Sequence, residues 1–334
     1  MKTYLMNYIV NANTSQYRIK NRAFAARYVA RCQLGLLAMV LVGCSQVPVT
    51  RPTAASLPDP VITVEPTPPV VKRPPKIGLA LGGGAARGFA HVGVIQVLEE
   101  NGIRPSFVTG TSAGSLVAAI YASGKNGAQL QTVSEAMDEV SFTDWTLPLF
   151  NRGMLRGDAL ARYVNKQVDG RLIESFALPL GIVATDLNSG QAVLFQRGDT
   201  GTAVRASSAV PAVFLPVKIA GREYVDGGLV SPVPVRFARQ MGAGLVIAVD
   251  ISSAPESNPA NDTLQILLQT FAIMGKSINS YELKDADVLV RPALTGLSSA
   301  DFTTRKRSID AGRAAMQQML PLLRLKLVEL AKLP

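Results

Sequence analysis

Residues 108–118 read VTGTSAGSLVA. An apolar run leads into a G-x-S-x-G turn formed by Gly110, Ser112 and Gly114, and a helix-like run follows it. Strand, sharp turn and helix is the local order that presents a serine hydroxyl at the end of a strand, and the small residues Gly110, Ala113 and Gly114 make such a turn sterically possible. The same order stands just upstream. Residues 77–81, IGLAL, predict a short strand, 82–88, GGGAARG, a glycine-rich turn, and the following residues a helix that ends near Gly102. Downstream, the apolar runs within 178–187, 191–195, 244–252 and 287–292 predict further strands, interleaved with helix-like stretches around 158–167, 234–241, 264–281 and 305–330. Continuous apolar strands alternating with helices predict an α/β fold with a mostly parallel central sheet covered on both faces, built as one domain over residues 76–334.

The chain has 334 residues, is 48% hydrophobic and carries a formal net charge of +10. Residues 1–43 hold Lys2, Arg18, Lys20, Arg22, Arg27 and Arg31 and no acid; subtracting these six from 34 basic residues leaves 28 against 24 acidic ones. The remainder is nearly balanced and shows no basic cluster that would track a phosphate backbone, which argues against nucleic-acid binding.

The basic residues precede an apolar stretch, 34–42, that is too short for the roughly 20 residues of a bilayer span and fits the core of a signal peptide. The LVGC that follows, 41–44, resembles a bacterial lipobox, which implies a signal peptide over 1–43 and a lipidated Cys44 as the mature amino terminus. Loss of Cys32 with the signal leaves Cys44 alone, so no intramolecular disulfide is expected. Residues 45–75 contain nine prolines, a composition that favours extended backbone, and 44–75 reads as a tether. The expected location is the bacterial cell envelope, anchored to membrane and facing the periplasm, with Ser45 favouring the outer membrane.

The glycine turn fails both nucleotide-binding patterns. After Gly82 and Gly84 the third position of a dinucleotide fingerprint is Arg87, and Gly83 leads to Gly88 and then Phe89 where a P-loop needs lysine. What remains is a set of N–H groups converging before a helix, which suits a developing negative charge. The one histidine of the chain, His91, falls on the same helix face as Val94, Ile95 and Leu98. That face is apolar, so His91 reads as a core residue rather than a base, and a carboxylate has to be considered for the proton of Ser112. Asp226 before Gly227 and Gly228 reads on its own as a turn-forming aspartate, and Asp186 is a rival carboxylate. One histidine and one mature cysteine leave too few ligands for zinc, and neither metal nor cofactor is expected.

Taken together, GGGAARG (82–88), GTSAG (110–114) and DGG (226–228) resemble the motifs of the patatin-like phospholipases, and ATDLNSG (184–190) and RASSAVPAVFLPV (205–217) resemble their connecting segments. The resemblance covers 76 to about 292. It implies a three-layer α/β/α fold and a lipid acyl hydrolase working through a Ser112–Asp226 dyad and an acyl-enzyme. Its oxyanion donors would be drawn from Gly82, Gly83, Gly84 and Ala85, and Arg87, Gly88, Gly110, Gly114, Gly227 and Gly228 complete the motifs. Arg87 is expected to orient the oxyanion loop, to attract a lipid phosphate or to form a salt bridge. The expected partners are a phospholipid or other acyl-ester substrate and the membrane; the alternatives are an acyltransferase on the same dyad and a non-catalytic lipid-binding lipoprotein.

Overall fold

The computed structural model describes residues 75–137, 144, 153–255, 261–297 and 302–332. The expected signal peptide, Cys44 and the tether up to residue 74 lie outside them. No helix among the described residues is long and apolar enough to cross a membrane.

The chain opens with β1 (Ile77–Leu81), a 3-10 turn (Ala85–Gly88), α1 (Phe89–Glu100), β2 (Phe107–Thr111), α2 (Ala113–Ala122) and α3 (Gly127–Glu135). It continues with β3 (Gly153–Leu155), α4 (Asp158–Gln167), β4 (Leu180–Asp186), β5 (Ala192–Phe195) and α5 (Thr200–Ser207). Three short strands follow, β6 (Ala212–Phe214), β7 (Val217–Ile219) and β8 (Arg222–Asp226), and then α6 (Val235–Gln240), β9 (Leu245–Val249), α7 (Thr263–Glu282), β10 (Val288–Val290) and α8 (Arg305–Lys332). The main sheet has eight strands in the order β10-β9-β1-β2-β4-β8-β7, with β5 also on β4. β10, β9, β1, β2 and β4 run parallel, while β5, β7 and β8 are antiparallel to their neighbours.

Every residue of β1, β2, β4 and β9 is buried, as the unbroken apolar runs require of strands covered on both faces. The two-residue alternation is visible in β1: Ile77, Leu79 and Leu81 enter the core under α1, α2 and α8, and Ala80 points to the opposite core with Val235 and Ala238 of α6. α1 is itself buried from Phe89 to Leu98, enclosed between the sheet and α8. Its backbone touches that of α8: a Cβ on Gly312 would stand 1.9 Å from the Ala90 carbonyl oxygen, and one on Gly93 2.0 Å from that of Ile309.

β4 sets up the site. β2 pairs with it over 180–183, β5 over 182–185 and β8 over 184–186. Because β5 overlaps both of the others it must occupy the opposite edge, so β2 and β8 share one edge and meet end to end. Thr111 stands opposite Val183 and Asp226 opposite the next residue, Ala184. The last residue of β2 and the last residue of β8 are therefore neighbours.

Candidate active site

Ser112, the first residue past β2, has φ 52° and ψ −122°. Such a backbone costs a non-glycine residue about 1–3 kcal/mol and persists only when its surroundings hold it. Here they do. The Ser112 N–H donates to Ser207 Oγ at 2.9 Å, and Ser207 Oγ donates to the Val183 carbonyl at 2.5 Å. The Ser112 carbonyl accepts from Ser115 N at 2.8 Å and Ser115 Oγ at 2.6 Å. At the start of α2, a Cβ on Gly114 would stand 2.1 Å from the Leu81 carbonyl oxygen, so the helix can only approach β1 this closely with glycine there.

Asp226 is fixed on three sides: its N–H donates to the Ala209 carbonyl at 3.0 Å, its carbonyl accepts from Thr185 Oγ1 at 2.8 Å, and its Oδ1 accepts from Gly228 N at 2.7 Å. Its carboxyl lies within hydrogen-bonding reach of the Ser112 hydroxyl. Burial pushes its pKa up to about 6, against the opposing pull of the Gly228 and Ser112 hydrogen bonds. One short segment therefore gauges the pair, since Ser207 holds the backbone of Ser112 and Ala209 that of Asp226.

The glycine turn divides into two halves. Gly82 N donates to Val249 O at 3.0 Å and Gly83 N to Pro232 O at 2.9 Å, so both N–H groups are engaged in holding the turn. Gly84 N and Ala85 N have no acceptor among the described residues, and the set of four expected oxyanion donors narrows to these two. Ala113 N, at the first position of α2, is likewise outside the helical ladder. Arg87 settles the orientation of one donor. Its Nε donates to the Gly84 carbonyl at 3.3 Å, and because C=O and N–H of a trans peptide point opposite ways, the Ala85 N–H is turned to the other side. Burial lowers the Arg87 pKa to about 10, with Asp250 acting in the other direction, and the guanidinium stays charged at neutral pH.

Two cavities meet at Ser112. One, of about 420 Å³, is lined by Gly84, Ala85, Arg87, Asp226 and the inner face of α7. The other, of about 310 Å³, is lined almost wholly by apolar side chains, among them Leu116, Ile120, Leu130, Met137, Leu160 and Phe214. Ser112, Ala85 and Val210 belong to both walls. A larger polar groove between α1, α3 and α8, about 720 Å³, includes none of these residues.

The family model for patatin-like phospholipases matches residues 79–239, from β1 to α6, and this span contains the glycine turn, Ser112 and Asp226. The chain carries a patatin-like phospholipase domain. An uncharacterized NTE family protein of Mycobacterium tuberculosis is 36% identical over 201 residues, 56% of this chain and 52% of that protein. Human patatin-like phospholipase domain-containing protein 6 is 32% identical over 192 residues, 54% of this chain and 14% of that protein. The chain thus spans about half the length of the first relative. In fold it is similar to VipD from Legionella pneumophila, with a TM-score of 0.51, 15% identity, and coverage of 75% of this chain and 67% of that one.

Two sequence candidates fall elsewhere in this patatin-like domain. Asp186 is at the mouth of the β4–β5 hairpin, where Oδ1 accepts from Asn188 N at 3.0 Å and Ser189 N at 2.9 Å and Oδ2 pairs with Arg222 at 3.2 Å. The hydrogen bond from Ser189 first, and the others with it, lowers its pKa, making it a turn anchor and a poor proton acceptor. His91 is wholly buried and its Nε2 lies 2.8 Å from the Gly82 carbonyl. A carbonyl only accepts, so Nε2 carries the proton, and Nδ1 has no partner among the described residues. Burial lowers the His91 pKa to about 4.

These two buried groups have opposite pH dependence. The folded His91 value of about 4 is below the ordinary 6.5, so stability is complete above about pH 6.5 and is lost as pH falls towards 4. The folded Asp226 value of about 6 is above the ordinary 3.8, so stability is gained as pH falls from about 6 towards 4. Each shift corresponds to about 3 kcal/mol, and in the wild type they offset one another. His91→Gln keeps a donor for Gly82 and is expected to retain at least about a tenth of the ester hydrolysis, a hydrogen bond being worth ~1 kcal/mol. It should also leave Asp226 unopposed, so its thermal midpoint rises relative to wild type on going from pH 7 to pH 5. An enzyme inactivated by His91→Gln would restore histidine to the chemistry.

Proposed function

We propose that this domain hydrolyses acyl esters of lipids, with Ser112 as nucleophile and Asp226 as its proton acceptor. The observation that carries the reading is the position of Ser112: strained into the turn, backed by a buried carboxylate, and standing between a cavity with a polar wall and one lined by hydrocarbon. The apolar cavity suits an acyl chain, and the other has room for the alcohol portion. In the first step Ser112 Oγ bonds to the ester carbonyl carbon while its proton passes to Asp226. The oxyanion is bound by the N–H groups of Gly84, Ala85 and Ala113. The intermediate collapses, the C–O bond to the alcohol breaks, and Asp226 returns the proton to the leaving oxygen. Water then attacks the acyl-enzyme, giving its proton to Asp226; collapse releases the fatty acid and returns the proton to Ser112.

Labelling by a fluorophosphonate tests this directly. The probe should attach to wild type and not to Ser112→Ala. Because the base must be ionised and its pKa is about 6, the labelling rate should climb as pH rises through 6 and level off above about 7. Equal labelling of Ser112→Ala, or a rate independent of pH between 5 and 8, would reject the assignment.

A further inference from the structure

α7 (Thr263–Glu282) is twenty residues long, yet only Asn279 and Glu282 are buried. Both buried residues are at its carboxyl end and tie it to the site: Asn279 Nδ2 donates to Ser252 Oγ at 3.1 Å, and Glu282 Oε1 accepts from Ser231 Oγ at 2.6 Å. Its inner face, with Leu268, Phe271, Ala272 and Gly275, forms one wall of the cavity that holds Ser112. Its outer face is the unusual one. Ile266, Ile273, Met274 and Tyr281 are 54%, 54%, 46% and 71% exposed, and their spacing of seven, eight and fifteen residues puts them on one stripe. The other members of that stripe are Thr263, Thr270 and Ser277, so along the helix it carries no charge. The helix has only two charged residues, Lys276 on its flank and the buried Glu282. Just past its end, the Lys284 ammonium sits 5.1 Å from the centre of the Tyr281 ring, an aromatic–cation pair suited to a boundary between hydrocarbon and headgroup.

We propose that the outward stripe of α7 docks on a bilayer containing anionic phospholipid, bringing the mouth of the Ser112 cavity against the membrane. Between Thr263 and Tyr281 the stripe bears no acid, the exposed Asp262 and Asp285 lying just beyond its two ends, and its apolar side chains with Lys276 and Lys284 at the edge complement acyl chains below and phosphate above. The stripe is on the opposite face of the helix that walls the Ser112 cavity, so a membrane seated on it lies one helix away from the site that lipid must reach. The choice of lipid over a second copy of the chain rests on the hydrolase reading above.

The test uses the full chain with Ser112→Ala, so that lipid is not consumed, and Trp145→Phe, which removes the single tryptophan. Ile273→Trp in this background reports on the stripe, and Leu325→Trp, equally exposed at 54% on α8, serves as control. With vesicles of phosphatidylglycerol and brominated phosphatidylcholine, the fluorescence of the Ile273→Trp protein should be quenched and blue-shifted, and that of the Leu325→Trp protein should not. This readout is local, so an amino-terminal anchor that also holds the protein on the vesicle does not produce it. With Ser112 intact, Ile266→Asp combined with Ile273→Asp should lower hydrolysis of vesicle phospholipid by about tenfold or more, given the burial each isoleucine loses. Hydrolysis of dissolved nitrophenyl butyrate should stay within about twofold of wild type, since neither residue lines the cavities. Absence of quenching at position 273 in vesicle-bound protein, equal quenching at position 325, or a solution dimer that Ile273→Asp dissociates would overturn the docking. Quenching at position 273 in the Ser112→Ala background, together with a wild type that splits no dissolved ester, would instead overturn the hydrolase.

Discussion

Replacing Ser112 by alanine or Asp226 by asparagine is expected to lower kcat/KM for ester hydrolysis by roughly 10³-fold or more, and the double variant should be no worse than either single one. In the proposed mechanism the two residues take part in one proton transfer, so removal of either abolishes the same step. They should separate in stability. Asp226 is buried with its pKa raised to about 6, and its ionised form therefore costs the fold about 3 kcal/mol at neutral pH. Asparagine keeps an oxygen for Gly228 N and removes the charge, so Asp226→Asn is expected to melt at the wild-type temperature or a few degrees higher at pH 8 while being inactive. Ser112→Ala leaves the charge in place and gives no such gain. Kinetics on a dissolved ester and thermal unfolding at pH 8 measure both. More than a tenth of the wild-type rate in folded Asp226→Asn would reject the dyad; an inactive variant that is also strongly destabilised would mean that the carboxylate holds structure.

The second large effect is on stability. Gly312→Val puts a branched side chain where even a Cβ would lie 1.9 Å from the Ala90 carbonyl oxygen. The obstacle is backbone in the first turn of α1, so relief requires α8 to move away from the sheet layer. A loss of about 3 kcal/mol or more is expected, close to 10 °C in the melting temperature for a domain of this size. Gly275→Ala is the control. Its Cβ would meet only the Pro232 ring at 3.5 Å, and in the interior of α7 alanine is intrinsically favoured over glycine by ~1 kcal/mol. An unchanged melting temperature for Gly312→Val would show that α8 does not pack on α1 as described. Because α1 carries His91 and follows Arg87, which hold the Gly82 and Gly84 carbonyls, loosening this crossing should also reduce activity before the protein unfolds.

Much of the architecture is readable along the chain. IGLAL and LVIAV are short unbroken apolar runs, and burial on both faces is the only environment that accepts every residue of them. The helices over 158–167, 264–281 and 305–330 correspond closely to α4, α7 and α8. Two helices escape a reading of apolar periodicity although each carries a local signal. Asn126 and Gln129 form a reciprocal capping box at the start of α3, and Asp199 caps α5 by accepting from Thr202 N. β8 escapes it too, because Asp226 before two glycines reads as a turn, which is how the strand ends rather than what it is.

What the sequence alone determined about the site is the identity of its chemical groups. The serine in its strained turn, the glycine-rich stretch before a helix and the burial of His91 follow from residue type and near neighbours, since backbone propensity and helix periodicity are local. Tertiary structure alone decided which groups can act together. The meeting of Ser112 and Asp226 depends on β4 offering one edge to the ends of two strands, in a register where Val183 faces Thr111 and Ala184 faces Asp226. The N–H groups of Gly82 and Gly83 are withdrawn by carbonyls of Val249 and Pro232, far along the chain, which leaves those of Gly84 and Ala85 without an acceptor among the described residues. Leu116, Ile120 and Phe214 have the composition of any core residue, and only the empty volume between them marks the place proposed here for an acyl chain. Pairing register and unfilled space are relations between distant segments, set when the sheet closes and the layers pack, and no window of the sequence contains them.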